Sequence, residues 1–477
     1  MNDLIVSRQI LFYFGLMIIF AILIFNSFYK LNESPPTWTD EGLIIQTAQN
    51  LSGQGKYGFQ ISPDEIISPS FISTSYPVTF PIAVSFSLLG ESLLHARMIM
   101  AVYIILLIIA VYLLIKDKSK EEVLFALALL STFPPLYGHG KNVLGEIPGL
   151  FFVLLSAVFL MRIEENKDKI SNWMFLGLFI GLAVSTKPVF ILLLPALGLV
   201  VLKMHFKHRT VNLKNFSILS VAFLLPVFLW LNIQFFQSDS WLSVLRYYSN
   251  PHSVDIVSAV IANLSDFIVH TRTLFTGGIF LLWTFSIFYR YRNNHHVKLH
   301  EYFLYFFATL VFILYFRNPP FYRYFLLTEV LSLVFLFQSI RIFCAKSWQI
   351  NLSRVFLLSL IVFQIYGMNF DSWVANSLQS NKTKTMTEVI GQLDPSEAVF
   401  IYQAPEAVIF LKHFNYYQYF SGTVTTEFGQ KNLGLIGARG DLIILTKKDL
   451  FQGGKDLFKD YKVSKEFDRY VVARKML

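Results

Sequence analysis

The sequence predicts a polytopic α-helical membrane protein of about eleven transmembrane helices, followed by a small C-terminal extracytoplasmic α/β domain. Three observations carry this. Hydrophobic residues make up 54% of the 477 positions, charged residues only 15%, and Phe alone contributes 49, which is more apolar surface than soluble domains can hide. Apolar runs near the ~20 residues needed to cross a bilayer recur from Leu11 to Phe370. From Asp371 onward the pattern changes to short apolar stretches alternating with helix-like ones.

The spans fall near 10–29, 97–115, 122–137, 143–161, 172–186, 188–202, 216–236, 273–289, 302–316, 324–343 and 355–370. The first follows Arg8 and ends at Tyr29-Lys30 without a small-residue cleavage site, so it reads as an uncleaved span and not a signal peptide. With the N-terminus cytoplasmic, the inner loops hold seventeen Lys and Arg, against nine in the outer segments up to Arg323. That asymmetry favours this orientation, and with it an odd span count puts the C-terminus outside. A long outer loop, 31–92, separates the first two spans; it contains a helix over Asp40 to Leu51, bounded by Pro35-Pro36 and Gly53. The chain thus divides into a membrane domain, 1–370, and an outer domain, 371–477. In the latter, strands are expected at Ala398–Tyr402, Leu442–Thr446 and Arg469–Ala473, and helices at Thr385–Leu393 and Glu406–His413.

Several function classes drop out. The excess of 40 Lys and Arg over 31 Asp and Glu serves as a topology signal in such a chain and gives no reason to expect a nucleic-acid partner. A single cysteine, Cys344, excludes an intramolecular disulfide and a thiolate cage. No Walker loop, G-x-S-x-G elbow or Asp-x-Asp motif is present. Gly53-x-Gly55-x-x-Gly58 follows a helix instead of a strand and reads as a helix stop. His295, His296 and His300 fall in a basic loop without an acidic partner and read as solvated, and His139 stands alone, so no metal and no cofactor is expected.

The charged residues that remain inside or beside apolar stretches are the candidates. Asp40 and Glu41 open the outer helix and point about 100° apart, so one can face a reaction centre while the other braces it. Alternatively, Thr37-x-x-Asp40 is a capping box. Glu146 begins an apolar span, where an idle charge costs up to ~3 kcal/mol at the bilayer centre; its plainer role would be an interfacial acid paired with Lys141. Lys187, Arg323 and Arg97 lie toward the same face. Cations beside acids there suit an anionic lipid headgroup, or else anchor the protein among ordinary headgroups. A transporter or lipid flippase is the rival class, but it places its charges near the bilayer midplane on broken helices.

Trp38-Thr39-Asp40-Glu41, Ala48-Gln49-Asn50-Leu51, Gly55-Lys56-Tyr57-Gly58, Leu89-Gly90-Glu91-Ser92 with Ala96-Arg97, Pro135-Leu136-Tyr137, Gly145-Glu146-Ile147-Pro148, Thr186-Lys187-Pro188 and Arg323-Tyr324-Phe325-Leu326-Leu327 together resemble the GT-C class of membrane glycosyltransferases. The likeness is to the branch shared by protein O-mannosyltransferases and bacterial aminoarabinose transferases. It implies a GT-C fold, a sugar donor carried on polyprenyl or dolichyl phosphate, and a glycan, lipid or protein acceptor, with Asp40 the catalytic acid residue and Glu146 the second acidic position. Some relatives carry an acidic-basic pair near the end of the first loop. Here the stretch Ser73 to Pro81 lacks it, so the donor phosphate is expected at Lys187, Arg323 or Arg97.

A sugar hydroxyl needs a base as it attacks, whereas polyprenyl phosphate leaves as a stable anion. Asp40 is therefore expected as general base in an inverting transfer, with Glu41 or Glu146 orienting the acceptor, and Tyr57, Tyr76 and Tyr324 as acceptor or sugar contacts. The setting implied is a bacterial inner or archaeal plasma membrane, with membrane lipids as further partners.

Overall fold

The structure is a computed structural model and describes residues 2–167, 169–208, 213–236, 255–317, 322–411, 413–420, 440–450 and 458–476. Eight of its helices are long and apolar enough to cross a membrane, or nine if Lys120–Ser131 and Pro134–Gly140, bent by 49°, form one span. The bend falls where Pro134 and Pro135 deny the helix two backbone donors. Each of the eleven expected spans coincides with helix, though not always with an unbroken one. The stretch 324–343 consists of a 3-10 turn, Tyr322–Phe325, and two short helices, Leu326–Val334 and Leu336–Arg341. A further helix, Ile256–Val269, was not anticipated; its Asn263 amide donates to the carbonyls of Tyr315 and Phe316 and so satisfies the end of the helix Leu299–Arg317.

At one end of the bundle, after the first helix, α1 (Asn2–Phe28), the first loop forms two helices, α2 (Thr39–Gln54) and α3 (Tyr76–Leu89), with a hairpin of β1 (Phe59–Ser62) and β2 (Glu65–Ile67) between them. α2 is buried from Glu41 to Asn50, although its composition is mixed; it is an interior strut and not a surface helix. It stops at Gly55, whose φ of 67° needs a residue without Cβ strain, as expected for a helix stop.

The tail builds a five-stranded sheet of β3 (Val399–Tyr402), β4 (Tyr416–Tyr419), β5 (Leu442–Thr446), β6 (Tyr461–Phe467) and β7 (Tyr470–Lys475) in the order β4-β3-β5-β7-β6. The pairs β4-β3 and β3-β5 are parallel, while β5-β7 and β7-β6 are antiparallel. The sequence suggested three of these strands. The helix expected at Glu406–His413 is instead a 3-10 turn, Pro405–Phe410.

Packing runs without a break across the boundary near 371. The Gln46 amide donates to the Tyr416 hydroxyl (2.8 Å), Gln60 to the Phe414 carbonyl (2.8 Å) and Gln418 to the Gln60 carbonyl (2.9 Å), and α2, Met386, Ile409 and Tyr416 share one core with the helical bundle. The other face of the sheet closes over its own small cluster of Phe400, Ile443, Leu445, Phe458 and Val471. Gly42 sits against the Pro405-Glu406 backbone, where a Cβ would lie 2.5 Å from the Glu406 nitrogen. Gly42→Val should therefore cost about 1–3 kcal/mol by overpacking. The expected readout is a lower melting midpoint with earlier proteolytic release of the tail; an unshifted melt would show that the seat yields freely.

A set of charged groups lies apart from these contacts: Arg290 grips Glu301, Lys118 donates to Gln338 (2.9 Å), and Arg341 pairs with Glu122 (3.1 Å). His300, expected in a solvated loop without an acid, is instead buried in the helix that begins at Leu299, 3.9 Å from Glu164.

Candidate active site

Four of the predicted charges meet at the end of the bundle under the first loop. Trp38 is extended (φ −149°, ψ 171°), and α2 begins immediately after it, so Asp40 and Glu41 occupy the first turn and diverge. Asp40 Oδ2 accepts a 2.8 Å hydrogen bond from Arg323 Nη1. Arg323 Nε lies 3.9 Å from Glu146 Oε1, and that same oxygen takes a 2.5 Å bond from Lys187 Nζ. The result is a chain of alternating charge, Asp40, Arg323, Glu146, Lys187, drawn from four segments far apart in sequence. Asp40 is its open end, with a side chain 41% exposed, while the Glu146 side chain is only 3% exposed.

Local sequence sets each position. Glu146 is the first residue of the helix Glu146–Glu165, where the helix dipole favours an acid. Gly145 before it packs so tightly that a Cβ would lie 3.1 Å from the Thr186 carbonyl and 3.2 Å from the Lys187 Cβ. The helix Ile170–Thr186 ends at Lys187 because Pro188 cannot continue it, and the extended Lys187 turns its ammonium to Glu146. Aromatic rings frame the cations: the Arg323 guanidinium stands 4.6 Å from the Trp38 ring and 5.5 Å from that of Tyr324, with Lys187 6.0 Å from Tyr324. Burial would lower the affinity of Arg323 for its proton, but the Glu146 and Asp40 carboxylates outweigh it and raise the guanidinium above its ordinary range. Glu146 Oε2 and Trp38 Nε1 are buried with no hydrogen-bond partner among the described residues.

Two expected members lie elsewhere. Glu41 and Arg97 form a bidentate pair (2.9 and 2.7 Å) in which both side chains are fully buried. Glu41 also accepts from Asn142 Nδ2 (2.8 Å) and the Val143 amide (3.1 Å), and Arg97 donates to the Leu31 carbonyl (3.1 Å). This corrects the expectation of Arg97 as a phosphate holder and leaves Glu41 as the brace of α2, since a sealed, mutually satisfied pair offers nothing to a ligand. The capping box also fails: Trp38 is the N-cap, and the Thr37 hydroxyl turns to Met386 instead. Lys141 donates to the Tyr29 carbonyl (2.8 Å) and does not pair with Glu146; burial, with Arg97 nearby, lowers its ammonium to about 7.

Among the tyrosines, only Tyr324 touches the cluster. The Tyr57 hydroxyl donates to Gln234 (3.3 Å) and that of Tyr76 to the Pro226 carbonyl (3.3 Å), tying both to the helix Leu213–Gln234. Burial pushes the Tyr57 phenol up to about 12. A second buried pair escaped the sequence reading: Arg272 holds Glu329 bidentately (3.1 and 2.9 Å) with Thr276 bonded to the same carboxylate, and its guanidinium stands 5.8 Å from the Tyr322 ring beside the cluster. The signal for it was Glu329 itself, an acid inside an apolar run. Among the described residues no three His, Cys, Asp or Glu side chains converge as a metal site would require.

The fold has counterparts among solved structures. The chain aligns with ArnT from Cupriavidus metallidurans in the apo state over 96% of its own length and 97% of that chain, at a TM-score of 0.65 and 13% identity. The fold is that of the GT-C membrane glycosyltransferases. The same enzyme bound to undecaprenyl phosphate aligns at a TM-score of 0.63 with the same identity and coverage. The archaeal oligosaccharyltransferase AglB from Archaeoglobus fulgidus, in complex with an inhibitory peptide and a dolichol-phosphate, aligns at 0.52 and 12% identity over 92% of this chain and 70% of that one. Residues 76–231 match the sequence family described as dolichyl-phosphate-mannose-protein mannosyltransferase. No curated protein matches the chain by sequence. The GT-C likeness drawn from the motifs is therefore borne out.

Proposed function

We propose that the protein is a glycosyltransferase that moves a sugar from a polyprenyl or dolichyl phosphate to a hydroxyl acceptor on the non-cytoplasmic side of the membrane, with inversion. The observation that supports this best is the chain of alternating charge, which puts one accessible carboxylate against a pair of cations on the fold that ArnT uses with undecaprenyl phosphate. In the reaction, the acceptor oxygen attacks the anomeric carbon from the side opposite the phosphate, and its proton passes to Asp40. The bond from carbon to the phosphate oxygen breaks, and its electron pair leaves with the polyprenyl phosphate, whose charge Arg323 and Lys187 stabilise. Glu146 holds the two cations in place, and Tyr324 lines their approach. A transporter would call for such charges at mid-bilayer, whereas these gather at helix ends.

Mass spectrometry of a deletion strain tests the activity: a polyprenyl-phosphate sugar should accumulate while one envelope glycan, lipid or glycoprotein loses that sugar. An unchanged profile of both would remove the assignment. For the donor site, Arg323→Met removes a charge-assisted contact worth about 1.5–3 kcal/mol, so the apparent Kd for undecaprenyl phosphate should rise roughly 10- to 100-fold. Unaltered binding would mean that the phosphate sits elsewhere.

A further inference from the structure

Beside the catalytic cluster, the tail and the first loop enclose a cleft of about 670 Å³, a volume suited to a small ligand of two or three rings. It is walled by α2, by Glu91 and Ser92 ahead of the helix Leu93–Ile115, and by tail residues between Thr387 and Tyr416. Gln49 lies nine residues beyond Asp40 on α2, about 13 Å along the helix axis, so the cleft is separate from the charged chain yet on the same strut.

Its polar groups are incompletely satisfied in a particular way. The Gln49 amide donates to Glu91 Oε2 (3.3 Å), which fixes its orientation and leaves Oε1 buried, in a side chain only 4% exposed, with no hydrogen-bond partner among the described residues. His413 Nδ1 accepts from the Asn415 amide (3.2 Å), so the ring carries its proton on Nε2, which is also buried without a partner there. Burial lowers the His413 imidazole, in keeping with a neutral ring. Two residues that line the cleft thus carry one unused acceptor and one unused donor. A hydroxyl is both, and satisfies either.

The remaining lining adds direction. Glu91, Glu388 and Gln392 supply further acceptors, Phe414 supplies a half-buried ring for stacking, and among the described residues no Lys or Arg lines the cleft. Phosphorylated or carboxylated ligands meet two carboxylates there, Glu91 and Glu388, and no counter-charge among the described residues, which disfavours them. Aromatic surface beside convergent hydroxyl partners is what a pyranose ring needs on its apolar face and its equatorial edge.

We propose that this cleft binds a neutral, hydroxyl-rich saccharide. Taken with the transferase reading, on which this last step rests, the saccharide is the acceptor glycan, held by the tail while its end reaches Asp40.

The test uses the full chain in detergent or nanodiscs, with saturation-transfer NMR and calorimetry against maltotriose, cellotriose and chitotriose, and glucose 6-phosphate as the anionic probe. At least one neutral trisaccharide should bind, more tightly than glucose 6-phosphate. Affinity should fall at least tenfold in Gln49→Leu and in the exposed double variant Glu388→Ala/Gln392→Ala, the latter guarding against a folding defect at buried Gln49. Binding should persist in Asp40→Asn, which separates the cleft from the reaction: retained binding with lost turnover supports both assignments, and retained binding with normal turnover sinks only the catalytic one. Absence of binding by every neutral trisaccharide, preference for the phosphate, or binding untouched by both cleft variants would overturn the site.

Discussion

Asp40→Asn should lower turnover by about 10²–10⁴-fold, the range a positioned general base supplies, while KM for the lipid-linked donor stays near its starting value. The two parts of this expectation come from the same geometry. The carboxylate is 41% exposed and makes one 2.8 Å ion pair with Arg323, so replacing it with an isosteric amide costs at most about 1 kcal/mol of stability. Arg323 keeps Glu146 as a neighbour at 3.9 Å and, with the donor site as proposed, loses only a competitor for the phosphate. A purified variant with an unchanged melting profile, normal polyprenyl phosphate binding and no transfer is the anticipated result. Turnover equal to that of the unaltered protein would take Asp40 out of the mechanism, whatever its position.

Arg97→Met should act through the fold instead. Glu41 and Arg97 are both fully buried, and removing the guanidinium strands a carboxylate that keeps only the Asn142 amide and the Val143 N–H. Breaking such a pair costs about 3–5 kcal/mol, most of it the price of the uncompensated charge. Poor insertion yield and a sharply lowered melting midpoint are expected, measured by intrinsic tryptophan fluorescence in detergent. Removing both charges, as in Glu41→Gln/Arg97→Met, should recover part of that loss. A single variant as stable as the unaltered protein would show that water or local rearrangement reaches the buried carboxylate.

The contrast between these two arginines marks how far the sequence could be read. Asp40, Glu146, Lys187 and Arg323 stood out because charge inside apolar stretches is expensive and needs a reason. Arg97 gave the same signal for a different reason. Whether a charge meets a ligand or a partner 56 residues away depends on how α2 seats against the helix Leu93–Ile115, and seating is decided by packing that no local pattern encodes. The fold followed the same division. Long apolar runs predicted helices directly, whereas the break between Leu326–Val334 and Leu336–Arg341 leaves hydropathy unchanged. β6, YKVSKEF, was missed because it is an edge strand with several exposed charged residues, which keep an open edge from pairing with other chains. The saccharide cleft had no linear signal at all, because Gln49, Glu91 and His413 become neighbours only after the tail folds back.

That fold-back reaches the charged cluster itself. Lys382 Nζ donates to the Thr37 carbonyl (2.6 Å) and the Thr383 hydroxyl accepts from the Thr37 amide (3.3 Å), one residue ahead of the Trp38 that shelters Arg323. Anyone splicing parts between relatives inherits this seam: a borrowed C-terminal segment arrives without its grip unless Thr37, α2 and the β1-β2 hairpin travel with it, so the interchangeable unit of this protein is the loop and tail together.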